Sequence, residues 1–362
     1  MAGIYLHIPF CASFCTYCGF YSEVCPRQGS HTRYIEALGR EIALRRGYLA
    51  GHGGAKTIYF GGGTPSLLSP DEFRTIHDML AAGFDLDAVE EFTVEVNPED
   101  VVTCSGLLPA LKEIGVNRIS MGVQSFCDRH LRWMNRRHNA ATAISAFKKL
   151  READFDNISI DLIFGFAGLE EGQWLDTLKR ATGLAPEHIS AYQMSLDSES
   201  TLAELAAQGK YVEPDDETCA RQYAMLQEEL QGAGYEQYEV SSFCRPGRHS
   251  RHNSAYWDRT AYLGLGPAAH SFDGNASRRW NNPSVEEYCT ALQSGILPPG
   301  GGETLSERDI YNEQIMLGLR TARGVEKSLI SDQGVLEKAG DCLRIPRDKF
   351  FICDSIIEKY LC

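Results

Sequence analysis

From residue 3 to residue 193 the chain alternates short apolar runs with amphipathic stretches. Residues 3–8 read as a buried strand. Residues 31–46 place Ile35, Leu38 and Ile42 at helical spacing, Leu49 continues the pattern, and Gly51-His52-Gly53-Gly54 breaks it. A second strand, Thr57-Ile58-Tyr59-Phe60, runs into Gly61-Gly62-Gly63-Thr64-Pro65. Ser69, with Pro70 at the first helical position, caps a helix over 71–80. Strands over 92–96, 117–121, 158–163 and 188–193 then alternate with helices over 107–114, 140–153 and 173–181. Six strands in this rhythm predict parallel βα units, arranged as a doubly wound sheet or a partial barrel. Both arrangements put an active site at the carboxyl ends of the strands.

Beyond residue 196 the rhythm changes. Residues 215–232 predict a long polar helix, and Tyr235 to Val240 alternate like an extra strand. A loop rich in Arg, His and Ser follows over 245–253, and Pro298-Pro299-Gly300-Gly301-Gly302 reads as a linker. An amphipathic helix over 306–321 opens a small carboxy-terminal unit, which closes with a strand over 349–352 and a helix over 354–360.

Hydrophobic residues make up 43% of the 362 and charged residues 23%, so a core can form. A formal net charge of -14 argues against a phosphate-backbone partner, because counterion release needs clustered Lys and Arg. No export signal and no apolar run long enough for a membrane span stands out, which predicts a cytoplasmic chain with reduced cysteines. Of the 12 cysteines, nine (Cys25, Cys104, Cys127, Cys219, Cys244, Cys289, Cys342, Cys353 and Cys362) show no ligand spacing.

The remaining three, in Cys11-Ala12-Ser13-Phe14-Cys15-Thr16-Tyr17-Cys18, follow the first strand directly. Three thiolates on one loop can hold three irons of a four-iron–four-sulfur (4Fe-4S) cluster and leave the fourth open. Three small buried hydrophobes, or a zinc loop completed from elsewhere, fit the spacing equally. Gly61 to Thr64 can bring free amides close to a ligand, or make a tight strand-to-helix turn. Glu95 and Asp161 are carboxylates inside apolar strands. Each needs a partner, either an arginine such as Arg118 or Arg136 or a ligand cation. The cysteine loop, Gly61 to Thr64, Glu95, Gln124 and Asp161 all fall at strand ends and could share one mouth.

The cysteine trio with Tyr17, then Gly61 to Pro65 and Glu95-Val96-Asn97-Pro98, resembles the radical S-adenosylmethionine (SAM) superfamily. Tyr5 to Phe10, Arg118 to Phe126, Asp161 to Gly165, Gly234-Tyr235, Glu239 to Ser241, His252-Asn253-x2-Tyr256-Trp257 and Gly264 to His270 narrow the resemblance to its oxygen-independent coproporphyrinogen oxidase-like branch. The match covers nearly the whole chain. Within that branch the chain is more similar to the haem-chaperone members than to the decarboxylating oxidase. Phe20 stands where the oxidase has a fourth cysteine, and the oxidase's long amino-terminal extension is not seen. Gly19 and Phe166-Ala167-Gly168 depart from the usual Asp and Leu-Pro-Gly.

The resemblance implies an α/β fold, a partial (β/α)6 barrel of the radical SAM type with extra strands and a small carboxy-terminal helical or winged domain. Its expected boundaries are 1–235, 236–300 and 301–362. It implies a 4Fe-4S cluster on Cys11, Cys15 and Cys18, and SAM on Tyr5, Tyr17, Gly63, Thr64, Glu95, Gln124, Arg136 and Asp161. Haem is the third implied cofactor, with His252 as the candidate iron ligand, and acceptor haemoproteins, respiratory ones included, are the implied partners. Peripheral membrane association, a homodimer, and turnover as an oxidase that decarboxylates porphyrinogen propionates stay open. Replacing Cys15 with Ala is expected to abolish the brown absorbance of the anaerobically reconstituted protein; unchanged colour would refute the ligand set.

Overall fold

Apolar side chains on one face of each strand dictate the architecture of the computed structural model, which describes residues 2–24, 31–331 and 334–362. Cys25 lies outside the described residues. Six parallel strands, β1 (Ala2–Ile8), β2 (Thr57–Gly62), β3 (Glu91–Val96), β4 (Arg118–Gln124), β5 (Ile158–Phe164) and β6 (His188–Gln193), are neighbours in that order. Ile4, Leu6 and Ile8 of β1, with Ile58 and Phe60 of β2 and Val94 of β3, lie in one buried core. Packed into the same core are Ile35, Leu38 and Ile42 of α1 (Thr32–Arg45) and Phe73, Ile76 and Leu80 of α2 (Pro70–Gly83). α2 starts on the expected cap: Ser69 Oγ accepts from the Glu72 amide and Glu72 reaches back to the Ser69 amide. Helices α3 (Leu107–Glu113), α4 (Ala140–Glu152) and α5 (Glu171–Leu184) complete the βα units.

The other face of the strands is polar. Tyr5, Tyr59, Glu95, Ser120, Asp161 and Ser190 alternate with the core residues, as a two-residue period requires. A sheet curled around such a face encloses a polar chamber.

The sheet extends on both sides. After α6 (Asp216–Gly232), which Asp215 caps, β7 (Ser242–Cys244) joins β6 antiparallel. Of the expected strand at 235–240, Glu236–Gln237 pairs with β7, and Glu239 forms an isolated antiparallel bridge to Thr321. The expected loop at 245–253 contains the start of a helix, α7 (Arg251–Trp257), whose cap is Ser250. On the other side β8 (Ala261–Leu265) runs parallel to β1, followed antiparallel by β9 (His270–Phe272), β10 (Ser277–Asn281) and β11 (Gly300–Thr304).

β11 corrects the expected linker at 298–302. A Cβ on Gly301 would sit 2.3 Å from the Trp280 ring, so glycine there admits a close tryptophan instead of providing slack. After α8 (Val285–Gln293) and β11, α9 (Glu307–Leu319) packs with a three-stranded sheet and the helix Cys353–Ile357. The expected strand at 349–352 is a 3-10 helix, Arg347–Ile352: Pro346 starts it, and Phe350 and Cys353 are buried at helical spacing. No helix among the described residues is long and apolar enough to cross a membrane.

Glu41 of α1 ties the added strands to the barrel. It is fully buried and accepts from the Gly266 amide (2.8 Å), Asn281 Nδ2 (2.9 Å) and the Tyr288 hydroxyl (2.7 Å). Glu41→Ala strands three buried donors, and its cost is expected to be about 3 kcal/mol in urea unfolding. A loss below about 1 kcal/mol would show that water replaces the carboxylate.

Candidate functional site

A cavity of about 490 Å³ opens at the carboxyl ends of the strands. Cys11, Cys15, Cys18, Tyr17, Gly63, Thr64, Glu95, Gln124, Arg136 and Asp161 all line it. Ten of the residues named from sequence, drawn from six separate stretches, thus meet in one place.

The cysteine loop is pinned from two sides. Thr16 donates its amide to Met134 O (3.1 Å) and its hydroxyl to Trp133 O (2.9 Å), and Asn135 Nδ2 donates to Phe14 O (2.7 Å). From the other side the Leu202 amide donates to Thr16 O at 2.8 Å. Each thiol has its own company. Thr64 Oγ1 lies 3.5 Å from Cys11 Sγ, and Arg136 Nη1 lies 3.3 Å from Cys15 Sγ. Burial, with the Cys15 and Cys11 thiols nearby, pushes the Cys18 thiol up to about 11, against the donation of the Phe20 backbone. Among the described residues no three metal-ligating side chains converge on one point. In a four-iron cluster each of three cysteines holds a different iron, so the three need not meet at one point. The donor set fits a cluster.

The glycine loop is built for contact. The Gly63 amide donates to Ile8 O (2.8 Å) and the Thr64 amide to Phe10 O (2.7 Å), which fastens the loop to the end of β1. A Cβ on Gly63 would sit 2.6 Å from Phe10 O, and Gly62 adopts φ 107 against the His7 ring. Opposite, β4 ends in an irregular register at Gly122 and Gln124, and Gln124 holds φ 65. Left-handed backbone at a non-glycine costs about 1–2 kcal/mol and turns this side chain toward the cavity.

Glu95 and Asp161 face each other across that space. The Tyr59 hydroxyl donates to Glu95 Oε1 at 2.7 Å, and Ser120 Oγ reaches Asp161 only at 3.4 and 3.5 Å. Among the described residues neither carboxylate has an ion pair, so the arginine pairing considered for them is not made. Burial pushes Glu95 up to about 7, with the Asp161 charge adding to it and the Tyr59 bond opposing. Burial likewise pushes Asp161 up to about 6, opposed by Arg118 and by bonds from Ser190 and Ser120. Arg136 donates to Gly122 O (2.7 Å) as well as to Cys15, and Tyr17 and Cys15 beside it outweigh burial and keep it charged.

Two expected residues lie outside the cavity. Tyr5 sits below it, stacked 6.1 Å from Tyr59, with its hydroxyl 3.1 Å from His7 Nδ1. His252 is 2% exposed and belongs to α7, which plugs the amino-terminal end of the barrel. Its Nδ1 meets Thr57 Oγ1 at 2.8 Å and its Nε2 meets the Tyr256 hydroxyl at 2.9 Å. Burial, then Arg118, lowers it to about 3. Both ring nitrogens have hydroxyl partners in this placement, and His252 is not among the residues that line the cavity.

Sequence reasoning missed Tyr59, Ser120 and Ser190, and the network that holds the Asn97 turn. In that network Ser66 Oγ donates to Asp100 (2.7 Å), and Arg137 donates to both Asp100 oxygens (2.8 and 3.0 Å). The two-residue period of β2, β4 and β6 carried the signal for the first three. Three aromatic rings stand exposed on the cavity rim, Phe20 at 75%, Phe14 at 51% and Tyr192 at 45%, among polar neighbours that include Asn135, Gln193 and Asp197.

The sequence pattern of the Radical SAM superfamily matches residues 5–181. The Heme chaperone HemW of Mycobacterium tuberculosis is 31% identical, over 99% of this chain and 94% of its own length. That of Bacillus subtilis (strain 168) is 32% identical over 92% and 87%. The mitochondrial Radical S-adenosyl methionine domain-containing protein 1 of Bos taurus is 33% identical over 90% and 74%. Among solved structures, coproporphyrinogen III oxidase (HemN) from Escherichia coli superposes with a TM-score of 0.83 at 23% identity, over 99% of this chain and 89% of the other, a likeness of fold.

Because Glu95 ionises in the unfolded chain near its ordinary value but only near 7 when folded, the folded state holds a proton the unfolded one releases between those values. Stability from this group therefore falls as pH rises through that window. Glu95→Gln is expected to stabilise the unloaded protein by about 1–2 kcal/mol near pH 8, and to leave it unchanged near pH 4.5. An equal effect at both pH values in thermal unfolding would contradict the assignment.

Proposed function

Because this chain belongs to the radical SAM superfamily, among its HemW-like members, we propose that it is a haem chaperone. It carries a 4Fe-4S cluster and SAM and hands haem to acceptor haemoproteins. The observation that carries the reading is the cavity in which three thiols, two carboxylates without an ion pair among the described residues and three exposed aromatic rings meet.

Cys11, Cys15 and Cys18 would hold the cluster, which supplies an open iron for an amino-acid amine and carboxylate. Glu95 and Asp161 offer negative charge with no competing cation, which suits an ammonium group or a pair of ribose hydroxyls. Gly63 brings backbone close without side-chain bulk, Thr64 sets a hydroxyl beside Cys11, and Gln124 adds an amide. Arg136, donating to Cys15 and to Gly122 O, is within reach of both the cluster edge and a carboxylate there. Tyr17 closes the wall beside it, and Tyr5 supports Tyr59 from below.

Haem would rest against Phe14, Phe20 and Tyr192. Exposed aromatics grouped at a cavity mouth mark a binding surface for a flat apolar ligand. Phe20 provides no thiol, so the rim adds no fourth ligand to the loop.

The test offers haem and coproporphyrinogen to separate samples of the anaerobically reconstituted protein. Stoichiometric haem binding, transfer to an apo-haemoprotein, and no porphyrinogen turnover are expected. Phe14→Ser with Phe20→Ser should weaken haem binding at least ~tenfold, the scale of losing buried aromatic area. Formation of protoporphyrinogen together with deoxyadenosine would overturn the chaperone reading in favour of the oxidase.

A further inference from the structure

Beneath the cavity the barrel holds a buried cation that none of the roles above uses. Arg118 opens β4, faces inward, and is 1% exposed. Among the described residues no carboxylate lies within ion-pair distance of it, and its Nε and Nη1 have no hydrogen-bond partner. Thr93 Oγ1, opposite it in register on β3, is equally unpartnered. An uncompensated guanidinium in a barrel costs several kcal/mol, where a neutral side chain of similar size would cost far less. Packing alone does not account for an arginine here.

The groups that face it narrow the reason. Its charge is felt by Glu95 of β3, Asp161 of β5, His188 of β6 and Tyr59 of β2, and Glu91, Tyr5 and His7 share the inward parity of their strands. α7 contributes His252, and the stretch around β7 contributes Tyr238, Glu239 and His249. The two nearest histidines are neutral and fully bonded: His188 to Ser159 and Tyr238, His252 to Thr57 and Tyr256. Glu91 caps α7 by accepting from the Arg251 and His252 amides, both at 2.9 Å, and Glu239 accepts from the Ser241 amide. Glu95 and Asp161 are left. Ser120, two residues along β4 from Arg118 on the same face, lies opposite Glu95 in register and reaches toward Asp161.

We propose that Arg118 is a positioning residue for the cofactor site: its fixed charge, held beneath Glu95 and Asp161 without pairing to either, keeps both as carboxylates for the incoming ligand. A direct ion pair would occupy the oxygens that the ligand needs; a cation one layer lower supplies the field and leaves them free. Arg118 opposes the burial that raises both carboxyls, so its loss moves their ionisation to higher pH. The inference rests on the reading that Glu95 and Asp161 hold SAM.

Two measurements on wild type, Arg118→Gln and Arg118→Lys separate the inference from that reading. Infrared titration of the unloaded protein, with Glu95→Gln and Asp161→Asn to assign the bands, follows the carboxyls themselves. Equilibrium dialysis of SAM against the reconstituted protein follows binding. Arg118→Gln should raise the carboxyl midpoints by about one pH unit and weaken SAM binding about tenfold near pH 7. The deficit should close near pH 9, and Arg118→Lys should restore most of both effects. Unmoved carboxyl midpoints in Arg118→Gln, or equally weakened binding at every pH with no rescue by lysine, would overturn it. Should the glutamine variant not fold, Arg118→Met, which also removes the charge, must show the same rise in the carboxyl midpoints, and no rise would overturn the proposal. Wild-type protein that binds no SAM while its carboxyls still respond to Arg118 would instead refute the cofactor reading alone.

Discussion

Glu95 and Asp161 sit inside a barrel with no cation among the described residues close enough to pair with them, and most of the structure serves to make that bearable. The strands that carry them turn Ile, Leu and Val to the helices, and that burial stabilises the fold. The inward face is left to Tyr59, Ser120, Ser190 and, one layer down, Arg118. Hydroxyls at hydrogen-bond range and a guanidinium at longer range surround two carboxyls that line the cavity wall. A site kept in this state is costly for the empty protein and well matched to a cationic, hydroxyl-rich ligand.

The cysteine loop depends on the same barrel. Its backbone is fixed by carbonyls at Trp133 and Met134 and by the start of the helix Thr201–Ala207, while its sulfurs meet Thr64 and Arg136. Arg136 links the two halves of the site. One nitrogen donates to Cys15 and another to Gly122 O on β4, beside the irregular turn that sets Gln124. Movement of the loop therefore carries the cofactor side with it.

The six core strands were legible because each is a short apolar run bounded by glycine, proline or asparagine, and the cysteine trio by its spacing. Convergence on one mouth followed from strand ends alone, and ten of the residues named from sequence line one cavity. The polar interior was harder to see. Tyr59 reads as part of an apolar run, although its parity places it with Glu95 and not with Phe60. Arg118 looked like a partner for the carboxylates, because sequence gives no means of telling an ion pair from a field one layer away. Gly301 resembled slack in a linker until Trp280 was found against it. His252 was named through the family resemblance alone, and its burial in helix α7, with Thr57 and Tyr256 at its two nitrogens, was not legible in the sequence.

The central claim is that three thiolates hold a cluster whose open iron shares one cavity with Glu95 and Asp161. Electron paramagnetic resonance of the reconstituted, reduced protein, recorded with and without SAM, tests it most directly. The account predicts a four-iron cluster signal whose spectrum changes when SAM is added, and no such change in the Asp161→Asn, Glu95→Gln double variant. A wild-type spectrum that is the same with and without saturating SAM would contradict it.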